Sequence, residues 1–126
     1  MTDMGTFNTA IDIENVTARG TLLRVVALVD TGAEATWVPR DLLEQLGVAV
    51  ERRETYQMAD GRLRERDIGY AIVHAGGRST VDEVVFAEPA DLVILGARSL
   101  EGMNLRVEPR TKQLVSAGPI PAAAIA

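Results

Sequence analysis

Ala27-Leu28-Val29-Asp30-Thr31-Gly32-Ala33-Glu34-Ala35-Thr36-Trp37-Val38-Pro39 is the stretch on which the fold of this chain turns. The aliphatic run Val25 to Val29 ends in an acidic residue and, two positions on, a glycine, the pattern of a strand that delivers a carboxylate onto a tight turn. With no polar residue interrupting it, the run predicts a strand buried on both faces. Gly32 permits unusual dihedrals and close approach of another backbone or a ligand. Taken alone, Asp30 reads as an ordinary turn residue, because Asp and Gly are frequent in turns.

Working outward, Thr6 to Ile13 reads as a first strand, Glu14 to Gly20 as its turn and Thr21 to Val29 as the second strand. Pro39 to Leu46 has helix signals: proline in the first turn, Asp41 near the start, Leu42, Leu43 and Leu46 on one face, and Gly47 to end it. Asp60-Gly61 and Gly76-Gly77 suit tight hairpin turns that need positive φ. Ile68, Tyr70 and Ile72 alternate between those turns, and Val81 to Phe86 reads as a return strand. Leu92 to Leu95 is a second aliphatic strand, stopped by Gly96 and followed by a short helix over Ala97 to Glu101. Leu105 to Val107 and Gln113 to Val115 close the domain. The prediction is a mainly β protein, one domain over 1–115 and a mobile tail over 116–126.

Composition narrows the chemistry. A chain of 126 residues, 47% apolar and 25% charged, has the length and balance of one globular domain. The formal charge of −5 repels a phosphate backbone, so nucleic acid is not an expected partner. The arginines from Arg52 to Arg66 are cancelled by Glu51, Glu54, Asp60, Glu65 and Asp67, which reads as a solvated, salt-bridged hairpin face. The absence of cysteine removes disulfides and thiolate chemistry. His74, the one histidine, has no companion ligand and reads as solvated, so no metal or cofactor is expected. Ser79, Ser99 and Ser116 show neither a nucleophile-elbow pattern nor an evident His partner. Met1 to Ile13 lacks a signal-peptide pattern and no run is long enough to span a bilayer, so the expectation is a cytoplasmic protein without membrane contact.

Two segments together carry more than either alone. The stretch from Ala27 to Pro39 resembles the active-site segment of the retropepsin-like aspartic peptidases, and Val93-Ile94-Leu95-Gly96 resembles that family's aliphatic-aliphatic-Gly strand. Thr55 to Leu63 falls where the family has its flap, and the helix from Pro39 to Leu46 is more similar to the single-domain bacterial members. Two departures stand out: Ala97 occupies the position of a viral arginine, with Arg98 one residue later, and the flap carries Asp60-Gly61 in place of a glycine-rich run.

The resemblance implies a closed acid-protease-type β-barrel protomer, with one helix after the active-site turn and a short one after the second glycine motif. It implies an aspartic endopeptidase whose catalytic residues are Asp30, Thr31 and Gly32. Substrate contacts would come from Ala33, Tyr56, Met58, Ala59, Asp60, Gly61 and Ile94, with no metal or cofactor. One carboxylate takes a proton from water while a second, protonated, polarises the scissile carbonyl. Only one Asp-Thr-Gly is present, so the partner carboxylate must come from a second copy in a homodimer acting on a peptide or protein substrate. The alternative is a non-catalytic dimeric module of the same fold that holds an extended peptide. Trp37 reads as core or interface packing, and Tyr56 as either a structural or a pocket residue.

Overall fold

Polarity alternates along the first strand and the second ends in an aliphatic run; the computed structural model pairs them as an antiparallel hairpin, β1 (Phe7–Asn15) with β2 (Ala18–Val29). The structure describes residues 6–123. The first five residues of the predicted 1–115 domain and the last three of the predicted tail lie outside them. The further elements are β3 (Thr36–Pro39), α1 (Arg40–Gln45), β4 (Arg52–Gln57), β5 (Leu63–Ala75), β6 (Arg78–Ala87), β7 (Ile94–Leu95), α2 (Ala97–Gly102), β8 (Leu105–Glu108) and β9 (Gln113–Ser116). The protein is mainly β, as predicted, with two six-residue helices.

Seven strands form one sheet in the order β1-β2-β7-β3-β6-β5-β4, and β5 also pairs with β1 through Asp12 to Asn15 and Ala71 to His74. β8 and β9 make a separate two-stranded sheet. Ile11, Ile13, Ala27, Val29, Val38, Leu43, Val73, Val84, Phe86, Leu95 and Met103 meet in the main core cluster. α1 and the residue that caps its C-terminus seal one side of it with Leu43 and Leu46. A six-residue helix falls far below the ~12–15 residues that are marginal alone in water. Burial of each leucine, worth about 1.5–3 kcal/mol, is what holds it.

Several expectations are corrected. The run Val25 to Val29 is buried on one face only: Ala27 and Val29 point into the core, while Val26 is 61% exposed. Side chains alternate across a strand, and among the described residues none buries β2's outer face at Val26. The second aliphatic strand shortens to Ile94–Leu95, leaving Leu92 64% exposed. In β5 the core face is Ala71, Val73 and Ala75, whereas Tyr70, on the face shared with Ile68 and Ile72, is exposed. Residues 36–39, not read as a strand from the sequence, form β3, parallel to β6 and antiparallel to β7. His74 is not simply solvated: its Nε2 lies 2.9 Å from Oε1 of the buried Glu14. Gly76 and Gly77 have positive φ at the β5–β6 turn, as predicted. The arginine-rich hairpin is laced with ion pairs, among them Arg53–Asp67 and Arg62–Asp60.

Candidate active site

β2 carries the chain to Asp30 and β7 fixes where it arrives. The Leu28 amide donates to the Val93 carbonyl at 2.9 Å and the Asp30 amide to the Leu95 carbonyl at 3.1 Å. The turn then closes on itself, with Ala33 N–H donating to Asp30 O at 3.2 Å. Gly32 N–H donates to Asp30 Oδ1 at 2.9 Å, orienting the carboxylate. A Cβ on Gly32 would lie 3.2 Å from that oxygen, and Gly32 is not among the glycines of positive φ. The glycine therefore serves this turn by close approach and not by left-handed geometry. Asp30 is half-buried; Thr31 and Gly32 are exposed.

Beneath the turn lies the second glycine motif. A side chain at Gly96 would collide with the backbone of Glu34 and Ala35, so only glycine lets the two segments touch. The first amides of α2 then grip the turn, Ala97 N–H donating to Ala33 O at 2.8 Å and Arg98 N–H to Glu34 O at 3.0 Å. A buried polar chain completes the support. Gly96 N–H donates to Thr36 Oγ1 at 3.0 Å, Thr36 Oγ1 and Ser99 Oγ are 2.6 Å apart, and Ser99 Oγ donates to Asp82 Oδ2 at 2.9 Å. Each hydroxyl has one proton, so Ser99 giving its own to Asp82 requires Thr36 to donate to Ser99.

Beside the turn opens a cavity of about 500 Å³ lined by Gly32, Ala33, Glu34, Ala35, Trp37, Tyr56, Gln57, Met58, Ala59, Asp91, Leu92, Ile94 and Arg98. It lies over a small second apolar cluster, Ala35, Trp37, Val85 and Ala87, against which Tyr56, Met58 and Ile94 pack. The β4–β5 hairpin folds over it, the Tyr56 ring standing edge-on to Trp37 with centroids 5.1 Å apart. Burial pushes the Tyr56 phenol above its usual 10. At the hairpin tip, Met58 N–H donates to Arg62 O and Arg62 N–H to Asp60 Oδ1, with Gly61 at φ +85°.

Of the residues singled out in the sequence, the cavity wall gathers Gly32, Ala33, Tyr56, Met58, Ala59 and Ile94. Asp30 and Thr31 belong to the adjoining turn, and Asp60 and Gly61 to the exposed hairpin tip. Sequence reasoning did not place Glu34, Ala35, Trp37, Gln57, Asp91, Leu92 and Arg98 in the wall. Glu34 and Ala35 could have been found from their adjacency to the turn; Asp91 comes from the β6–β7 loop and Arg98 from α2, both distant in the chain. Among the described residues no group of three or more His, Cys, Asp or Glu side chains is arranged to hold a metal ion.

The charges around the cavity are mostly paired. Arg66 grips Asp91 through two hydrogen bonds, 2.7 and 2.9 Å, and holds its carboxyl below the usual range. Arg52 holds Glu83 at 2.7 and 3.0 Å, lowering its pKa, and also binds Glu54 at 2.9 Å. Arg98 Nη2 lies 3.8 Å from the same Glu83.

A family model described as gag-polyprotein putative aspartyl protease matches residues 14–102. No curated protein matches the chain. Among solved structures, the chain is similar to the solution structure of Simian Foamy Virus (mac) protease at 22% identity and a TM-score of 0.49, over 74% of this chain and 92% of that one. It is also similar to the crystal structure of a retropepsin-like aspartic protease from Rickettsia conorii at 20% identity and a TM-score of 0.49, over 86% of this chain and 91% of that one.

Proposed function

We propose, since the chain belongs to the gag-polyprotein putative aspartyl protease family, that it is an aspartic endopeptidase acting as a homodimer with one active site formed between two copies of Asp30. The observation that carries the reading is the turn itself: a carboxylate oriented by Gly32 N–H, at the edge of an apolar cavity and beside an exposed Thr31. A single Asp-Thr-Gly in the chain leaves the second carboxylate to a partner, and a two-fold axis sets a residue against its own copy.

In this reading one ionised Asp30 takes a proton from water as the oxygen attacks the scissile carbonyl carbon. The protonated Asp30 of the other protomer hydrogen-bonds the developing oxyanion. Collapse breaks the C–N bond and passes a proton to the leaving nitrogen, so the pair ends with the one proton it began with. Thr31 bonds across the interface and Gly32 lies against the substrate backbone. Ala33, Tyr56, Met58, Ala59 and Ile94 hold its side chains. The hairpin tip at Asp60 and Gly61 closes over the cleft, excluding water. The pairing of β5 with β1 supports treating the strands as a closed barrel, with 1–115 as the single domain and 116–126 as its tail.

The test is Asp30→Asn against a library of unstructured peptides, with sedimentation of both proteins. Cleavage should fall by at least about a hundredfold while the dimer persists. Undiminished cleavage would end the assignment; peptide binding by wild type without turnover would favour the non-catalytic module.

A further inference from the structure

We infer that Glu34 is a specificity residue that selects a basic side chain, lysine or arginine, in the bound peptide, next to the apolar residue held by Trp37, Tyr56 and Ile94. The inference rests on the proposed cleft as the peptide site and adds the charge of what it accepts. Two charged residues other than Glu34 line the cavity, Asp91 and Arg98. Asp91 is neutralised by its two-point bond from Arg66. Arg98 reaches Glu83, and together with Arg52 and Glu54 these form a chain of two cations and two anions.

Glu34 is what remains. Its side chain is exposed, lines the cavity and has no ion-pair or hydrogen-bond partner among the described residues. Its main chain is fixed by Arg98 N–H on its carbonyl, so the carboxylate is carried by a rigid turn. The one residue on α2 that could have neutralised it, Arg98, is drawn to Glu83 on β6 instead. The cavity thus presents one unbalanced negative charge beside an apolar floor, inside a protein whose net charge is −5. A cation is attracted by both the near carboxylate and the overall field.

The test uses N-acetylated peptides, identical except for Lys, Gln or Glu at each position within four residues of an apolar pair. Cleavage is followed with wild type, and binding by fluorescence anisotropy with Asp30→Asn. At the responsive position Lys should exceed Glu by at least about fivefold in both readouts, and the preference should shrink at high salt. Glu34→Gln should abolish that ratio and Glu34→Arg should invert it. Equal use of Lys and Glu peptides, a ratio unchanged in Glu34→Gln, or no binding of any peptide would overturn the inference. Binding preference without cleavage by wild type would leave it standing and remove the peptidase reading.

Discussion

Thr36 Oγ1 and Ser99 Oγ lie 2.6 Å apart, 63 residues separated in the chain and both without solvent access. The pair joins β3 to α2 and passes the Gly96 amide's hydrogen bond on to Asp82. Removing one hydroxyl strands its neighbours in a space that water does not reach, which costs about 1–3 kcal/mol. Ser99→Ala should therefore lower stability by that amount in urea unfolding, and Ser99→Thr, which keeps the hydroxyl, tests whether the site has room. Wild-type stability in Ser99→Ala would show that the chain of hydroxyls carries no weight.

Gly96→Ala should be worse. Its Cβ meets backbone carbonyl groups of Glu34 and Ala35, which cannot rotate away as a side chain does. The loss should reach or pass the upper end of the ~1–3 kcal/mol typical of overpacking, with the Asp30 turn displaced. Thermal unfolding measures it; a Tm within a degree or two of wild type would mean that the two segments separate freely.

If Asp30 acts only opposite its own copy, inactive protomers should poison active ones. Adding Asp30→Asn protein in increasing excess to a fixed amount of wild type, with time to exchange, should drive cleavage toward zero as mixed dimers replace wild-type dimers. A monomeric enzyme would keep its full rate.

Trp37 is the only tryptophan, so its fluorescence reports on the hairpin that covers it. Tyr56→Ala removes the edge-on ring and should shift Trp37 emission to the red and weaken peptide binding, since such aromatic pairs are worth about 0.5–1.5 kcal/mol beyond their buried area. Tyr56→Phe keeps the contact and should resemble wild type.

Glu14 accepts hydrogen bonds from Arg19, from Gly20 N–H and from His74, and its carboxyl is held down at about 2 against a usual 4.5. A carboxyl whose pKa is lower folded than unfolded stabilises the fold above its unfolded value, and that contribution is lost as pH falls from about 4.5 toward 2. Asp12, Glu83 and Asp91 are lowered in the same direction, chiefly by hydrogen bonds from Arg24, Arg52 and Arg66. Stability should fall over this acid window, and less steeply in Glu14→Gln. An identical slope in the two proteins would remove Glu14 from the account.

Local chemistry made much of this protein legible in the sequence. Asp30-Thr31-Gly32 after an aliphatic run, the glycine turns at Gly61 and Gly76-Gly77, and the helix beginning after Pro39 each depend on neighbours a few residues away. Their φ preferences, caps and periodicities are written in adjacent letters. The tertiary structure decided what depends on partners far along the chain. Val26 and Val29 are both valines in one run, and only the placement of the core makes one exposed and the other buried. Thr36 and Ser99 look like surface residues until β3 and α2 bring their hydroxyls together, and Arg98 pairs with Glu83 and not with Glu34 because β6 lies within its reach. Gly96 reads locally as the end of a strand, yet what requires it is the backbone of Glu34 and Ala35 pressed against it. A turn is settled by the torsions of its own residues, whereas a face, a pairing or a charge balance is settled by whichever distant segment packs there.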